Sequence, residues 1–352
     1  MIPVRNVYYM LSYAFRVLKE KGYKSMETEE FHNAEELCAA ILLRGVSLQL
    51  KRGLGKAYIS KTEPLSSPRG KIDVTGSIEN LSMVRSRLVC TYDEFSVNSY
   101  MNRIIKTTLV LLLKSKIAAS RKKEIRKQLV FFGEVDTLDI HMINWSLPFN
   151  RNNQSYRMLL FVCRLIINEL LQAESGNTAK LIGFEDDQDD PHLYEKFILG
   201  YYNTEYKHLG VKACASMMDW QVDDGFRDML PKMKTDITLT YGDRTLIIDA
   251  KYYNRNMREQ YGKASFPTNN LYQIFTYVKT KENELSGVKH EKVSGMLLYA
   301  KTEEEGTFDN EYQIMGNRIC VRTLDLSCDF SLIKKQLDEI ASRYLQVNVT
   351  EM

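Results

Sequence analysis

Two aspartates and a lysine fall within residues 234–253, KTDITLTYGDRTLIIDAKYY, where twelve residues separate Asp236 from Asp249 and one separates Asp249 from Lys251. The segment reads as two strands around the turn Tyr241-Gly242-Asp243-Arg244. Gly-Asp makes a favoured two-residue hairpin loop, because glycine accepts the positive φ of a type II′ turn. Pairing Tyr241 with Arg244 then sets Asp236 opposite Asp249. Directly opposed like charges destabilise a sheet unless something neutralises them, and a divalent cation with oxygen ligands does so. Lys251 lies two residues beyond Asp249 and projects from the same face, whereas Ala250 points the other way. Such a group suits phosphodiester hydrolysis. Carboxylates hold Mg²⁺, which polarises the phosphate and lowers the pKa of bound water, while the ammonium positions the nucleophile and offsets developing charge. The competing reading is an exposed hairpin with solvated Asp and Lys side chains, since the pattern is short and its residues are common. Leu246-Ile247-Ile248 weighs against it: a continuously apolar strand is central, and charged residues at its end need a reason.

The elements around the hairpin predict the order α-β-β-β-α-β. They are a helix over 193–206, β-like segments over 211–220, 235–240 and 245–253, a helix over 269–279 and a strand over 295–300. A strand at 319–324 and a closing helix at 332–345 complete a mixed α/β domain. Two turn-rich seams precede it, SLPFNRNN at 146–153 and the acidic EDDQDDP at 185–191. Upstream, helical spacing marks 7–18, 34–48, 100–113 and 121–131, with shorter β-like stretches at 57–62 and 71–78. The expected organisation is a first domain over 1–153, a connecting helix and acidic linker over 154–190, and the hairpin domain over 191–352.

The chain has 352 residues, 44% hydrophobic and 26% charged, a composition that excludes wholesale disorder. Its apolar runs fall short of the roughly 18 residues needed to span a bilayer. The N-terminus carries no secretory leader pattern, so the expected location is cytoplasmic. The six cysteines are scattered, with neither a zinc pattern nor a disulfide framework. Between residues 41 and 130, 18 Lys and Arg stand against 6 Asp and Glu, although the whole chain is only +3, so this part is suited to an acidic partner.

Thr235-Asp236-Ile237 followed by Ile248-Asp249-Ala250-Lys251-Tyr252-Tyr253 resembles the PD-(D/E)XK nuclease signature, in the DAK form of the McrC family. McrC proteins are the nuclease subunits of McrBC 5-methylcytosine-dependent restriction systems. The opening Ile2-Pro3-Val4-Arg5-Asn6-Val7-Tyr8-Tyr9-Met10-Leu11, the block Asn102-Arg103-Ile104-Ile105-Lys106 and the motif Asn270-Leu271-Tyr272-Gln273 resemble further blocks of that family. Lys234 stands where a glutamate is expected, and the proline of the superfamily's name is absent; neither departure removes a ligand.

The resemblance implies a nuclease domain in which Asp236 and Asp249 bind Mg²⁺, with Mn²⁺ able to substitute, and the Ala250 carbonyl is a third ligand. Lys251 becomes the catalytic lysine. Glu195, on the preceding helix, is a candidate further acid or else a solvated helix carboxylate. Gln273, with Asn270 and Tyr277 on one face opposite Leu271, Phe275 and Val278, either flanks the site or faces solvent. The resemblance also implies a McrB-like AAA+ GTPase ring as partner, with GTP bound by that ring and the N-terminal half of this chain docked to it, and methylated double-stranded DNA as substrate. Gly53-Leu54-Gly55-Lys56 and Gly70-Lys71 lack the spacing of a phosphate loop. Arg5, Arg69, Lys71, Asn102 and Arg103 are open to ring contact or packing, and the Lys/Arg cluster of 114–127 to DNA attraction or a solvated helical face. Two other functions remain compatible: a GTP-independent repair or defence nuclease, and a regulatory activator of the ring that does not cut.

Overall fold

The computed structural model describes residues 2–19, 23, 31, 33–151, 153–174, 193–223, 225–226, 228–252, 258–260, 263–286, 292–301 and 307–347. The chain divides into two compact units, Met1–His32 with Ile182–Met352, and Asn33–Leu181. No helix among the described residues is long and apolar enough to cross a membrane.

Helix α1 (Val4–Ala14) belongs to the first unit. The second unit holds α2 (Ala34–Arg52), β1 (Ala57–Leu65), β2 (Lys71–Asp73), α3 (Val74–Glu79), β3 (Leu88–Ser96), α4 (Tyr100–Lys114), α5 (Ala119–Leu129) and α6 (Gln154–Glu174). Helix α6 packs on α2 and α4, burying Leu159, Val162, Cys163 and Ile166. Asn102 is fully buried at their junction, donating to the carbonyls of Gly55 and Val97 while its Oδ1 accepts from Tyr156. Lys106 gives its ammonium to the carbonyls of Phe132 and Val135. The block 102–106 therefore includes two packing residues. The small antiparallel sheet β1-β3-β2 is different, for most of β1 and all of β2 are exposed.

The first unit continues with α7 (Leu193–Glu205), β4 (Lys212–Cys214), β5 (Met217–Met218), β6 (Met233–Lys234), β7 (Ile237–Tyr241), β8 (Arg244–Lys251), β9 (Arg258–Gln260) and β10 (Lys263–Ser265). It ends with α8 (Thr268–Leu285), β11 (Lys292–Ala300), β12 (Asp309–Ile314), β13 (Asn317–Leu324) and α9 (Phe330–Leu345). Six strands form one mixed sheet in the order β12-β13-β11-β8-β7-β4. Strand β8 is central, antiparallel to β7 and parallel to β11. One face of the sheet buries Ile247, Leu297, Ile319 and Val321 with Ile274 and Val278 of α8. Helices α7 and α9 also pack against β8, and Tyr194, Tyr201 and Tyr202 of α7 are fully buried.

The α-β-β-β-α-β order holds, and several expectations need correction. Residues 1–153 do not form one domain, because Val7, Tyr8, Met10 and Leu11 of α1 are buried and α1 packs against α7. The Asn6 amide donates to the Leu326 and Cys328 carbonyls, and the Tyr13 ring meets Phe197 and Tyr201. Nor is 154–174 a connector, being core helix of the second unit; the acidic seam at 185–191 lies outside the described residues. The β-like stretch 71–78 stops at Asp73, whose carboxylate accepts from Gly76 N–H and caps α3. The stretch 211–220 is two short strands, β4 and β5, which pair with different partners.

Candidate active site

The turn of the hairpin has the chemistry its residues dictate: Gly242 takes φ +57°, while Asp243 needs no positive φ, the pattern of a type II′ loop. The ladder runs from Tyr241 opposite Arg244 to Ile237 opposite Ile248, the register expected from the turn. It stops one residue short of the aspartates. There Asp236 substitutes a side-chain bond for the ladder, its Oδ2 accepting from the Ala250 N–H at 2.8 Å.

Asp249, in the last turn-free residues of the central strand, is 0% exposed. Lys251 Nζ lies 3.0 Å from its Oδ2, an ion-pair distance, yet neither carboxylate oxygen has a hydrogen-bond partner of good geometry. A buried carboxylate left in this condition is expensive. Lys251 also donates to Gln273 Oε1 at 3.2 Å, and Gln273 Nε2 donates to the Tyr277 hydroxyl at 3.0 Å. Gln273 thus touches the lysine and does not merely face solvent. Its expected companions differ in role: Asn270 and Tyr277 are buried, and Asn270 donates to the Tyr299 hydroxyl at 2.8 Å. The apolar face of α8 centres on Ile274 and Val278, with Leu271 packed at its border.

Glu195 sits in the first turn of α7 and joins the group through space. Burial, opposed in part by Lys251, pushes its carboxyl up to about 7, and the charge of Asp249 adds to the rise. Burial likewise raises Asp236, reinforced by the charges of Asp249 and Glu195, and raises Asp249 against the pull of Lys251. Three acids and one lysine therefore share a field in which not all the acids ionise comfortably.

These residues fit a divalent cation in one specific respect. The Asp249 carboxylate is buried with only the Lys251 ammonium at ion-pair distance, and Asp236 accepts from the Ala250 N–H beside it. Mg²⁺ needs only one or two protein carboxylates, keeping waters and substrate oxygens for the rest. Among the described residues no three His, Cys, Asp or Glu side chains close into a ready-made cation cage, so the fit rests on the aspartate pair rather than on Glu195. The sequence reading passed over Trp220, which lines a groove with Lys234, Tyr272 and Gln273; a tryptophan in an Asp-rich segment was the one signal for it.

A family model described as "McrBC 5-methylcytosine restriction system component" matches residues 4–300. A protein of Escherichia coli (strain K12), named Type IV methyl-directed restriction enzyme EcoKMcrBC, is 28% identical over 351 residues, covering 98% of this chain and 99% of that one. Among solved structures, a half-complex of Thermococcus gammatolerans McrB AAA+ hexamers with bound McrC aligns at 15% identity and TM-score 0.45, covering 97% of this chain and 76% of the other. A second structure, the Thermococcus gammatolerans McrBC complex, aligns at 16% identity and TM-score 0.37, covering 48% of this chain and 55% of the other. With the family model spanning most of its length, the chain belongs to the family of McrBC 5-methylcytosine restriction system components.

Proposed function

We propose that this chain is the DNA-cleaving subunit of a modification-dependent restriction complex, a Mg²⁺-dependent endonuclease of PD-(D/E)XK type. The observation that carries the reading is Asp249, a fully buried carboxylate at the end of a central strand beside Asp236, with Lys251 Nζ 3.0 Å from its Oδ2. Asp236 and Asp249 would hold the ion, with the Ala250 carbonyl as third protein ligand and Glu195 as the further acid of the group. When bound, the ion supplies Lewis-acid activation of the phosphate and a more acidic water. Lys251 holds the attacking water and offsets charge on the pentacovalent phosphate. Gln273 fixes the ammonium by accepting a hydrogen bond from it, and Tyr277 orients the Gln273 amide in turn. Glu195, whose carboxyl burial pushes up to about 7, would serve to exchange a proton with that water.

The second unit suits docking to an AAA+ ring, taken in this reading to be a GTPase. Tyr58, 75% exposed, and Phe95 form an exposed cross-strand aromatic pair on β1 and β3, and Leu81, Met83 and Val84 add further exposed apolar surface between β2 and β3. Exposed aromatic and apolar side chains of this kind suit an interaction site. GTP belongs to the ring in this reading, and methylated double-stranded DNA is the substrate. The test is cleavage by the Asp249→Asn and Lys251→Ala variants with ring and GTP present: both should lose cutting while still stimulating GTP hydrolysis. Loss of solubility or of ring stimulation in both would count against the assignment.

A further inference from the structure

Beside the carboxylates lies a groove of about 720 Å³ that shares Gln273 and Tyr277 with the hydrolytic site and extends beyond it. Its volume falls in the range of roughly 300–1,000 Å³ typical of small-ligand clefts. One wall is the outward stripe of α8, where Asn269, Tyr272, Gln273 and Thr276 recur at helical spacing. Tyr272 is 67% exposed although it immediately precedes Gln273, the partner of Lys251. Trp220 forms the facing wall, 38% exposed, with its indole fixed by donation to the Pro231 carbonyl at 2.8 Å. The loop carrying Trp220 is tied down at its base: β5 pairs with β6, and Thr235 N–H donates to the Ser216 carbonyl at 2.9 Å, one residue before Asp236. Lys232 and Lys234 stand exposed on the rim, and no described lining residue is acidic. Asp219, Asp223 and Asp228 occupy the same loop without lining the groove.

Aromatic faces flanked by lysines, with amide and hydroxyl groups between them, match a nucleotide: the rings stack on a base, the ammonium groups meet phosphates. A protein side chain would not call for this combination of two lysines and two exposed rings. We propose that the groove takes one unstacked nucleotide of the DNA strand next to the scissile phosphate, with Tyr272 and Trp220 holding the base and Lys232 and Lys234 its phosphates. The proposal rests on the nuclease reading for its location beside the cut, and it adds a strand-holding subsite. Because the stack is indifferent to base identity, the subsite positions the strand without reading its sequence.

The chain has two tryptophans, Trp145 and Trp220, so Trp145→Phe in the full-length protein isolates the emission of Trp220. Titration with a short oligothymidylate, in EDTA so that no cleavage intervenes, should quench that emission saturably. Tyr272→Ala should weaken binding about 10-fold or more and Tyr272→Phe should restore it, since the stacked ring is retained. Replacing Lys232 and Lys234 together by alanine should flatten the salt dependence of log K by ~0.7 for each lysine. The proposal is overturned if fluorescence anisotropy of a labelled oligonucleotide reports binding while Trp220 emission stays constant, or if Tyr272→Ala binds as tightly as the parent. Asp249→Asn separates the two claims. Cutting lost in Asp249→Asn while Tyr272→Ala binds as tightly as the parent would refute the groove alone, whereas cutting retained in Asp249→Asn with intact quenching would refute the nuclease assignment and leave the groove standing.

Discussion

Replacing Asp249 by asparagine should stabilise the metal-free protein, the opposite of what substitution in a core strand ordinarily does. The carboxylate is 0% exposed, and although Lys251 Nζ lies 3.0 Å from its Oδ2, that ammonium faces two further acids, Asp236 and Glu195. Negative charge in excess of the lysine is left buried, and an uncompensated buried polar group costs about 1–3 kcal/mol, more when charged. Removing the charge leaves Lys251 with Gln273 and with the fields of Asp236 and Glu195, so the lysine is not stranded. A net gain of about 2 kcal/mol follows, which for a unit of this size is a rise in Tm of about 4–8 °C. Addition of Mg²⁺ reverses the order. Free ion at a hundred times its Kd stabilises the wild type by about 2.7 kcal/mol, and should leave the variant nearly unmoved. Differential scanning calorimetry at pH about 8, with EDTA and then with Mg²⁺, reads both effects. A variant less stable than wild type in EDTA, or one stabilised equally by Mg²⁺, would refute the argument that Asp249 is a strained ligand awaiting a cation.

Burial holds protons on Glu195, up to about 7, and on Asp236 and Asp249, so the folded state binds them more tightly than the unfolded chain does. The contribution is greatest below the unfolded carboxylate range and is lost as pH rises through the folded values; urea denaturation in EDTA should find lower stability at about pH 8 than at about pH 5, with Mg²⁺ narrowing the gap. Gly200→Ala should destabilise the first unit by about 1–3 kcal/mol, since the new methyl would meet the Tyr13 carbonyl oxygen at 2.1 Å and force α1 off α7. An unchanged denaturation midpoint would show that α1 yields without cost. Asn102→Ala strips the Gly55 and Val97 carbonyls and the Tyr156 hydroxyl of their partner and should cost about 2 kcal/mol in the second unit. Val84→Asp, at an exposed position, should leave the fold intact and abolish stimulation of ring GTP hydrolysis; undiminished stimulation would move docking elsewhere.

The hairpin was legible because its turn is only two residues long. Gly242 fixes the turn type and the turn fixes the register, so the proximity of Asp236 to the end of β8 follows from local chemistry. Lys251 and Gln273 were legible as residues but not as a pair; their contact depends on how α8 settles on β8 and β11, which no local spacing encodes. Strand β12 was missed because all six of its residues are exposed, leaving no alternation to read, and β3 because its apolar residues do not alternate cleanly. The placement of α1 was hidden for a different reason. An amphipathic helix announces that it has a buried face but not what covers it, and here the cover is α7, far along the chain. Asn102, open between ring contact and packing in the sequence, proves to be a buried amide satisfying two carbonyls, and Asn6 of the opening block does the same.

The central claim is that Asp236, Asp249 and Lys251 cut DNA under the control of a GTPase partner. Its most direct test is Mg²⁺-dependent cleavage of methylated and unmethylated plasmid by the wild-type chain and by Asp249→Asn, with and without the AAA+ partner and GTP. The account predicts cutting of methylated plasmid by the wild type only when partner and GTP are both present, and none by the variant. Cutting by the chain alone would make it an autonomous nuclease, GTPase stimulation without cutting would make it a regulator, and cutting by Asp249→Asn would contradict the site itself.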